Sequence, residues 1–288
     1  MNAFSNQSLA QAHGTTPHLS YAAISHIGMK RSQNQDRFMC IPDLQAFIVA
    51  DGMGGHQGGE TASLITVTSI CDFIRSENSK GSLQASDELS LKKTLKKAIE
   101  QANEAVHEYA AKTPQFQGMG TTCTALLVQK VPQKPATVIL AQVGDSRGYF
   151  FHPPASLWQI TRDHSLVQEK LQAGLIERHE MRTDKMRNVI TRSVGFEATV
   201  EVDIYRFEAH PGDVFLLCSD GLSGLCTEEN ISRTLTQTLH EKKNLRDEKL
   251  NSKGSLDLRL LQSVEALVHE ANKNGGDDNI TAMLVHIN

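Results

Sequence analysis

The sequence predicts an α+β domain in which helices pack outside layers of β-sheet. Short apolar runs rich in β-branched and aromatic residues recur along the chain, as is typical of buried strands. Longer segments between some of these runs repeat apolar residues at intervals of three and four, as is typical of amphipathic helices. Strand-like runs within 137–151 and within 200–219 follow one another through short connections, which indicates antiparallel pairing.

The strands and helices are predicted in the following order. The strand-like runs are LSYAAISHIG (19–28), AFIVA (46–50), TTCTALLV (121–128), TVILAQV (137–143), RGYFF (147–151), VEVDIYRF (200–207), VFLLCS (214–219) and ITAMLVHI (280–287). Helices are predicted over 59–76, 88–112, 163–173, 227–241 and 256–273. The second helix shows the spacing best, with apolar residues at Leu91, Leu95, Ala98, Ile99, Ala102 and Val106.

The composition favours one large domain and argues against several kinds of partner. The 288 residues, 39% of them hydrophobic, are enough to bury a sizeable core. The net charge of −4 is spread without long like-sign blocks, which argues against nucleic-acid and membrane partners. The longest apolar runs are far shorter than the ~20 residues that cross a bilayer. The 5 cysteines include no C-x-x-C pair, which favours reduced thiols in the cytoplasm.

The N-terminal residues 1–19 have neither the basic nor the apolar segment of a secretory signal. We expect them to form a disordered tail, followed by a single domain over 20–288.

Five aspartates occupy similar places, at strand ends or beside short apolar segments: Asp36, Asp51, Asp145, Asp220 and Asp278. If the sheets bring these places to one edge, the carboxylates converge and raise one another's pKa unless a cation holds them. Oxygen ligands without a His or Cys pattern favour Mg²⁺ or Mn²⁺ over zinc. Taken alone, each aspartate is more typical of a turn or cap residue. The five together favour a metal site, where the carbonyl of Gly52 is a further candidate ligand.

Seven motifs occur in an order that resembles the metal-dependent type-2C (PPM) serine/threonine protein phosphatases, in their short bacterial form. They are RSQNQD (31–36), DGMGGH (51–56), GMGTT (118–122), VGDSR (143–147), TRDHS (161–165), SDGL (219–222) and GGDDNIT (275–281). The resemblance covers about residues 20–287. It implies a four-layer α-β-β-α sandwich of two mostly antiparallel sheets flanked by helix pairs, with a flap subdomain over about 164–198.

The resemblance also implies an activity and its metal ligands. The expected enzyme is a Mg²⁺/Mn²⁺-dependent phosphatase that hydrolyses phosphoserine and phosphothreonine by direct attack of a water or hydroxide bridging two ions. Asp51 resembles the ligand that bridges both ions, and the Gly52 carbonyl resembles a ligand of one. The remaining ligands of the pair are Asp36, Asp220 and Asp278. Asp145 resembles a ligand of a third ion.

Two further residues are candidates for catalysis. Arg31 resembles the phosphate-binding arginine of the family, since a planar guanidinium can clamp two phosphoryl oxygens. His56 is the candidate general acid, because imidazole titrates near neutral pH. A metal-bound water is the alternative acid.

The flap departs from the family pattern. Bacterial relatives often carry His-Pro before the Arg-Asn of this segment, whereas Asp184 and Lys185 precede Met186-Arg187-Asn188 here. Arg187 and Arg192 are candidate contacts for acidic or phosphorylated partners, or ordinary solvated charges.

The expected partners are phosphorylated Ser/Thr proteins, among them a bacterial kinase and its substrates, and we expect a monomer. Two alternatives stay open: a catalytically weak phosphatase-like sensor or adaptor, and a two-metal phosphomonoesterase that acts on small substrates. A sensor should have lost a metal ligand, yet all five acids are present. No cysteine is followed by an arginine six positions later, which argues against a cysteine-nucleophile phosphatase.

Overall fold

The computed structural model describes residues 9–81, 88–131, 133–152, 156–240 and 252–288. The strands are β1 (Leu9–Thr15), β2 (Leu19–His26), β3 (Asp36–Ile41), β4 (Ala46–Met53), β5 (Gly120–Thr121), β6 (Cys123–Gln129), β7 (Ala136–Val143), β8 (Arg147–His152), β9 (Ser156–Gln159), β10 (Asp203–Ala209), β11 (Val214–Cys218) and β12 (Ile280–Ile287). The helices are α1 (Gly55–Ser79), α2 (Glu88–Lys112), α3 (Leu166–Gln172), α4 (Asp220–Ser223), α5 (Glu228–His240) and α6 (Ser252–Lys273), with a 3₁₀ turn at Pro114–Phe116.

The strands form two antiparallel sheets that pack face to face. One sheet has the order β1-β2-β12-β11-β8-β9, and the other has the order β10-β7-β6-β4-β3, with β5 paired to β4. Helices α1 and α2 cover the outer face of the second sheet, and α5 and α6 cover the outer face of the first. The predicted α+β fold, with four layers in the order α-β-β-α, is confirmed.

Burial on both faces explains why the central strands are apolar without interruption. In β4, Phe47 and Val49 point into the core between the sheets, whereas Ile48 and Ala50 point toward α1 and α2. Strand β11 alternates in the same way between the inter-sheet core and the α5/α6 layer. Each such side chain contributes about 1.5–3 kcal/mol when fully buried. Side chains therefore fix the position of each strand from both sides.

The prediction of a disordered tail over 1–19 is wrong for residues 9–19. Strand β1 pairs antiparallel with β2, with Leu9 opposite His26 and Thr15 opposite Ser20. Its side chains are exposed or half-buried, so no apolar pattern marks it, and backbone hydrogen bonds to the neighbouring strand hold it. Residues 1–8 lie outside the described residues.

Strands β3 and β9 were not among the predicted strands. Strand β3, DRFMCI, is buried only at Asp36 and Ile41, its first and last residues, and is half-buried between them, so its sequence resembles a short apolar turn.

Within the described part of the chain, no helix is both long enough and apolar enough to cross a membrane.

Candidate metal and phosphate site

The pairing of β3 with β4 brings two of the predicted acids together. Asp36 lies directly opposite Asp51 in the antiparallel register, at the end of the sheet from which helix α1 leaves. Opposite residues in such a pair have Cβ atoms about 4.5–5.5 Å apart. Asp36 and Asp51 are fifteen positions apart in the sequence, and the hairpin places them side by side on neighbouring strands.

The other sheet supplies the next two acids at the same end of the sandwich. Asp220 follows β11, and Asp278 precedes the neighbouring strand β12. The hydroxyls of Ser219, directly after β11, and of Thr281, in β12, donate to Oδ2 of Asp36 at 2.8 and 2.7 Å. Asp36 is thus held by residues of the opposite sheet, which joins the two sheets at the site. Sequence reasoning missed Ser219 and Thr281, although each lies in a motif beside a predicted ligand.

Burial and mutual repulsion raise the pKa values of the clustered acids. Burial raises the pKa of Asp36 to about 7, although hydrogen bonds from Thr281 and Ser219 lower it. Burial also raises the pKa of Asp51 well above its ordinary range, and the surrounding carboxylates, first among them Asp36, raise it further. The pKa of Asp220 is raised by burial and by Asp278. Each additional negative charge is therefore unfavourable here, and a divalent cation would relieve the repulsion.

The residues present fit such a cation. The Oδ1 atoms of Asp36 and Asp145 are buried and have no hydrogen-bond partner. A Cβ atom added at Gly52 would lie 2.0 Å from the carbonyl oxygen of Gly59, so only glycine lets this backbone pack against the first turns of α1. Buried carboxylate oxygens without a hydrogen-bond partner are ligands that suit Mg²⁺ or Mn²⁺.

The acids are not arranged as a closed protein cage. Across the described residues, no three His, Cys, Asp or Glu side chains already form a group that could hold a metal ion. They meet instead as neighbouring pairs, with Asp36 opposite Asp51 and the Asp51 side chain within hydrogen-bonding reach of Asp220. Magnesium-like ions usually keep several waters and take few protein ligands, so paired carboxylates are compatible with such ions.

A cavity of about 570 Å³ opens beside these acids. Asp51, Asp220 and Asp278 line it, and Asn188 and Ile190 of the predicted flap form another part of its wall. Arg31 also lines it, with its side chain half-exposed. The Nη2 atom of Arg31 donates to Oδ2 of Asp278 at 2.7 Å. The guanidinium is therefore held next to the acids with its other donors available to an anion in the cavity.

Asn279 holds the loop that carries Arg31. Its Nδ2 atom donates to the carbonyl oxygens of Ile27 and Gln33, both at 2.9 Å, and its Oδ1 atom accepts from the Gln35 amide at 2.8 Å. The asparagine of the GGDDNIT motif is thus a positioning residue, a role that its position after Asp278 did not reveal.

Asp145 lies in a tight loop after β7. Gly144 adopts φ +100°, and a Cβ atom there would lie 2.6 Å from a methyl group of Thr122. The hydroxyl of Thr122 contacts that of Ser146 at 2.7 Å and accepts from the Asp51 amide at 2.9 Å. Burial raises the pKa of Asp145 well above its ordinary range, and Asp220 raises it further. The loop with Asp145 is therefore linked to the strand end with Asp51 through one pair of hydroxyls.

His56 and His164 are the two histidines that lie within the sequence motifs. His56 belongs to the first turn of α1, but its side chain lies outside what the structure describes. His164 is buried, and its Nδ1 atom accepts from the Gly144 amide at 3.0 Å. Burial and the nearby Arg192 lower the pKa of His164. A neutral His164 therefore supports the Asp145 loop rather than the cavity.

Comparison with known proteins identifies the family. Residues 25–256 match the profile of the family described as protein phosphatase 2C. The serine/threonine phosphatase stp of Listeria welshimeri is 34% identical over 241 residues, which cover 84% of this chain and 84% of that protein.

Two solved structures are similar over nearly the whole chain. The serine/threonine phosphatase PstP/Ppp of Mycobacterium tuberculosis gives a TM-score of 0.74 at 30% identity, covering 93% of this chain and 98% of that one. The catalytic domain of serine threonine protein phosphatase PstP, solved in complex with 2 manganese ions, gives 0.73 at 29% identity, covering 94% and 98%. This chain belongs to the protein phosphatase 2C family, whose members are phosphoprotein phosphatases.

Proposed function

We propose that the protein is a Mn²⁺- or Mg²⁺-dependent phosphatase that removes phosphate from phosphoserine and phosphothreonine in proteins. The observation that carries this proposal is the convergence of acids from both sheets beside Arg31 in one cavity. The proposed setting is the cytoplasm, where a monomer would oppose a Ser/Thr kinase and act on that kinase and its substrates.

The proposed ligands come from both sheets. Asp36, Asp51, Asp220, Asp278 and the Gly52 carbonyl would hold two ions, and Asp145 would contribute to a third. When bound, the ions would neutralise the charge of the phosphate and promote ionisation of the attacking water. Because Ser219 and Thr281 occupy Oδ2 of Asp36, its Oδ1 atom is the one left to bind a cation.

The phosphate would be oriented by Arg31. Its Nη2 atom donates to Asp278 and its Nε atom to the carbonyl oxygen of Asp277 at 3.3 Å, so the guanidinium plane is fixed from one side. The remaining N–H groups can donate to two phosphoryl oxygens, and such bidentate pairs are both strong and directional. His56 remains the proposed donor of a proton to the leaving serine or threonine oxygen.

The proposed activity predicts a metal-dependent release of phosphate. Purified full-length protein should dephosphorylate a phosphothreonine peptide with Mn²⁺ or Mg²⁺, stop when EDTA is added, and recover when the metal is restored in excess. A nucleotide and an aryl phosphate serve as comparison substrates. A metal-replete protein without turnover on any of them would refute an enzyme. Faster turnover of the small phosphates than of the peptide would favour a small-molecule phosphomonoesterase.

The adjacent aspartates at 277 and 278 allow a matched test of the ligand assignment. Asp278→Asn should lower phosphopeptide turnover by about 10²-fold or more, because it removes an anionic ligand. Asp277→Asn should change turnover less than about twofold, because the exposed Asp277 side chain contacts Lys30, and surface ion pairs contribute little. Steady-state kinetics at saturating Mn²⁺ would measure both. Equal losses in the two variants would refute the assignment of Asp278.

A further inference from the structure

The wall of the cavity includes a segment that has little core of its own. Residues 173–202 are all described and contain neither helix nor strand. We call residues 173–190 the outer flap; Asn188 and Ile190 in it line the cavity. None of its large apolar side chains is fully buried: Leu175 is 73% and Met186 43% exposed, Val189 is also exposed, and the other three, Ile176, Met181 and Ile190, are half-buried. Burial of apolar surface therefore contributes little to holding the outer flap, and polar contacts must fix its position.

Arg182 makes the most extensive of these contacts with the body of the protein. Its Nη2 atom donates to the carbonyl oxygens of Ser223 and Cys226 at 3.1 and 2.9 Å, and its Nη1 atom approaches that of Gly224 at 3.3 Å. These carbonyls lie at the end of the short helix α4, which begins at Asp220, and in the turn after it. Carbonyls at the end of a helix have no partner within it, and a guanidinium offers several donors in a fixed plane.

The turn that receives Arg182 is partly buried, and another of its carbonyls already has a partner. Ser223 and Cys226 are almost fully buried, and the carbonyl oxygen of Leu225, between them, accepts from the Asn274 side chain at 3.0 Å. Arg182 thus supplies donors that the turn lacks. The acceptors are backbone carbonyls, so Arg182 links the outer flap to the short helix α4, which carries Asp220.

A further ion pair connects the outer flap, close to Arg182, with helix α3. The carboxylate of Asp184 pairs with Lys170 of α3 at 2.9 Å and accepts from the Met186 amide at 2.7 Å. Asp184 thus connects the outer flap to α3. Arg178 pairs with Glu228 at 3.1 Å, but its side chain is 73% exposed, so this contact is weak.

We propose that Arg182 is a positioning residue that anchors the outer flap to the turn after Asp220 and so sets the distance between Asn188 and the acids across the cavity. A large phosphopeptide must pass this wall, whereas a small phosphate can reach the acids without contacting it. Arg182 therefore acts on substrate recognition by proteins rather than on the chemical step. The consequence for substrates rests on the proposed function, but the anchoring itself does not.

The test compares Arg182→Met with the matched control Arg178→Met, both in the full-length protein. Hydrogen exchange followed by mass spectrometry should show amides in 173–190 exchanging at least about tenfold faster in Arg182→Met, with helix α2 unchanged. For a phosphothreonine peptide, KM should rise about tenfold with little change in kcat, and turnover of an aryl phosphate should change less than about twofold. Arg178→Met should resemble the wild type in every measurement.

A second variant, Arg182→Lys, tests whether the planar guanidinium is needed for the anchor. Arg182→Lys retains the cation without the planar fork, so its exchange and KM should be intermediate. Unchanged exchange of 173–190 in Arg182→Met would overturn the anchor. Faster exchange throughout the chain, including α2, would also overturn it, because Arg182 would then support the whole fold. A wild type without phosphatase activity would refute the proposed function alone, since the exchange measurement would still decide the anchor.

Discussion

Asp51→Asn is expected to lower phosphopeptide turnover by about 10³-fold or more, the largest loss of any single substitution at the site. Asp51 faces Asp36 across β3 and β4 and lies within hydrogen-bonding reach of Asp220. The carboxylates that act on Asp51 come from both sheets, and asparagine keeps its size while losing its charge. Steady-state kinetics with saturating Mn²⁺ would measure the loss.

The same substitution has an expected effect of opposite sign on stability. Burial, together with the carboxylates around it, raises the pKa of Asp51 well above its ordinary range, so its ionised form is unfavourable without a cation. In EDTA at pH 8, Asp51→Asn should therefore unfold at a temperature equal to or above that of the wild type. Calorimetry would measure this, with Asp277→Asn as the control. Retained turnover, or a clearly lower unfolding temperature in EDTA, would contradict the proposed role.

Between pH 7 and 8, the protein without added metal is expected to lose stability, and Mn²⁺ is expected to restore more of it at pH 8. A carboxyl whose pKa is raised by folding stabilises the folded state below its unfolded pKa of about 3.9. That contribution is lost as pH rises through the folded pKa, which is about 7 for Asp36. A group that stays protonated in the folded state changes the free energy of unfolding by about 1.4 kcal/mol per pH unit, and Asp36, which is half ionised at pH 7, changes it by less.

Three buried histidines have the opposite effect on stability, but they act mainly below pH 7. Burial lowers the pKa of His26, His164 and His286, so their contribution grows as pH rises through about 6.5 and is nearly complete above pH 7. Divalent ions bind the ionised carboxylates, and an ion at about 100 times its dissociation constant adds about 2.7 kcal/mol. Thermal unfolding at pH 7 and 8, in EDTA and in Mn²⁺, would test this. Equal effects of Mn²⁺ at both values would contradict it.

Much of the layered fold could be predicted because side-chain patterns record it directly. The spacing of Leu91, Leu95 and Ala98 predicted helix α2, whose bounds of Glu88–Lys112 agree with the predicted range of 88–112. The apolar run at 46–50 predicted β4, because burial on both faces requires apolar residues throughout. The edge strand β1 could not be predicted in this way. Its pairing depends on backbone hydrogen bonds, which any sequence can make, and its side chains are exposed or half-buried without an apolar pattern.

The order of residues along the chain is enough to show which acids stand beside glycines and strand ends, and that their motifs follow the order of the family. How those acids are held depends on the folded chain, in which Ser219 and Thr281 reach Asp36 from the opposite sheet. The contact of Arg182 with the carbonyl of Cys226, more than forty positions away, depends on the folded chain as well. Local patterns report burial and turn geometry, whereas these contacts join residues distant in sequence through backbone atoms and hydroxyls that leave no periodic signal.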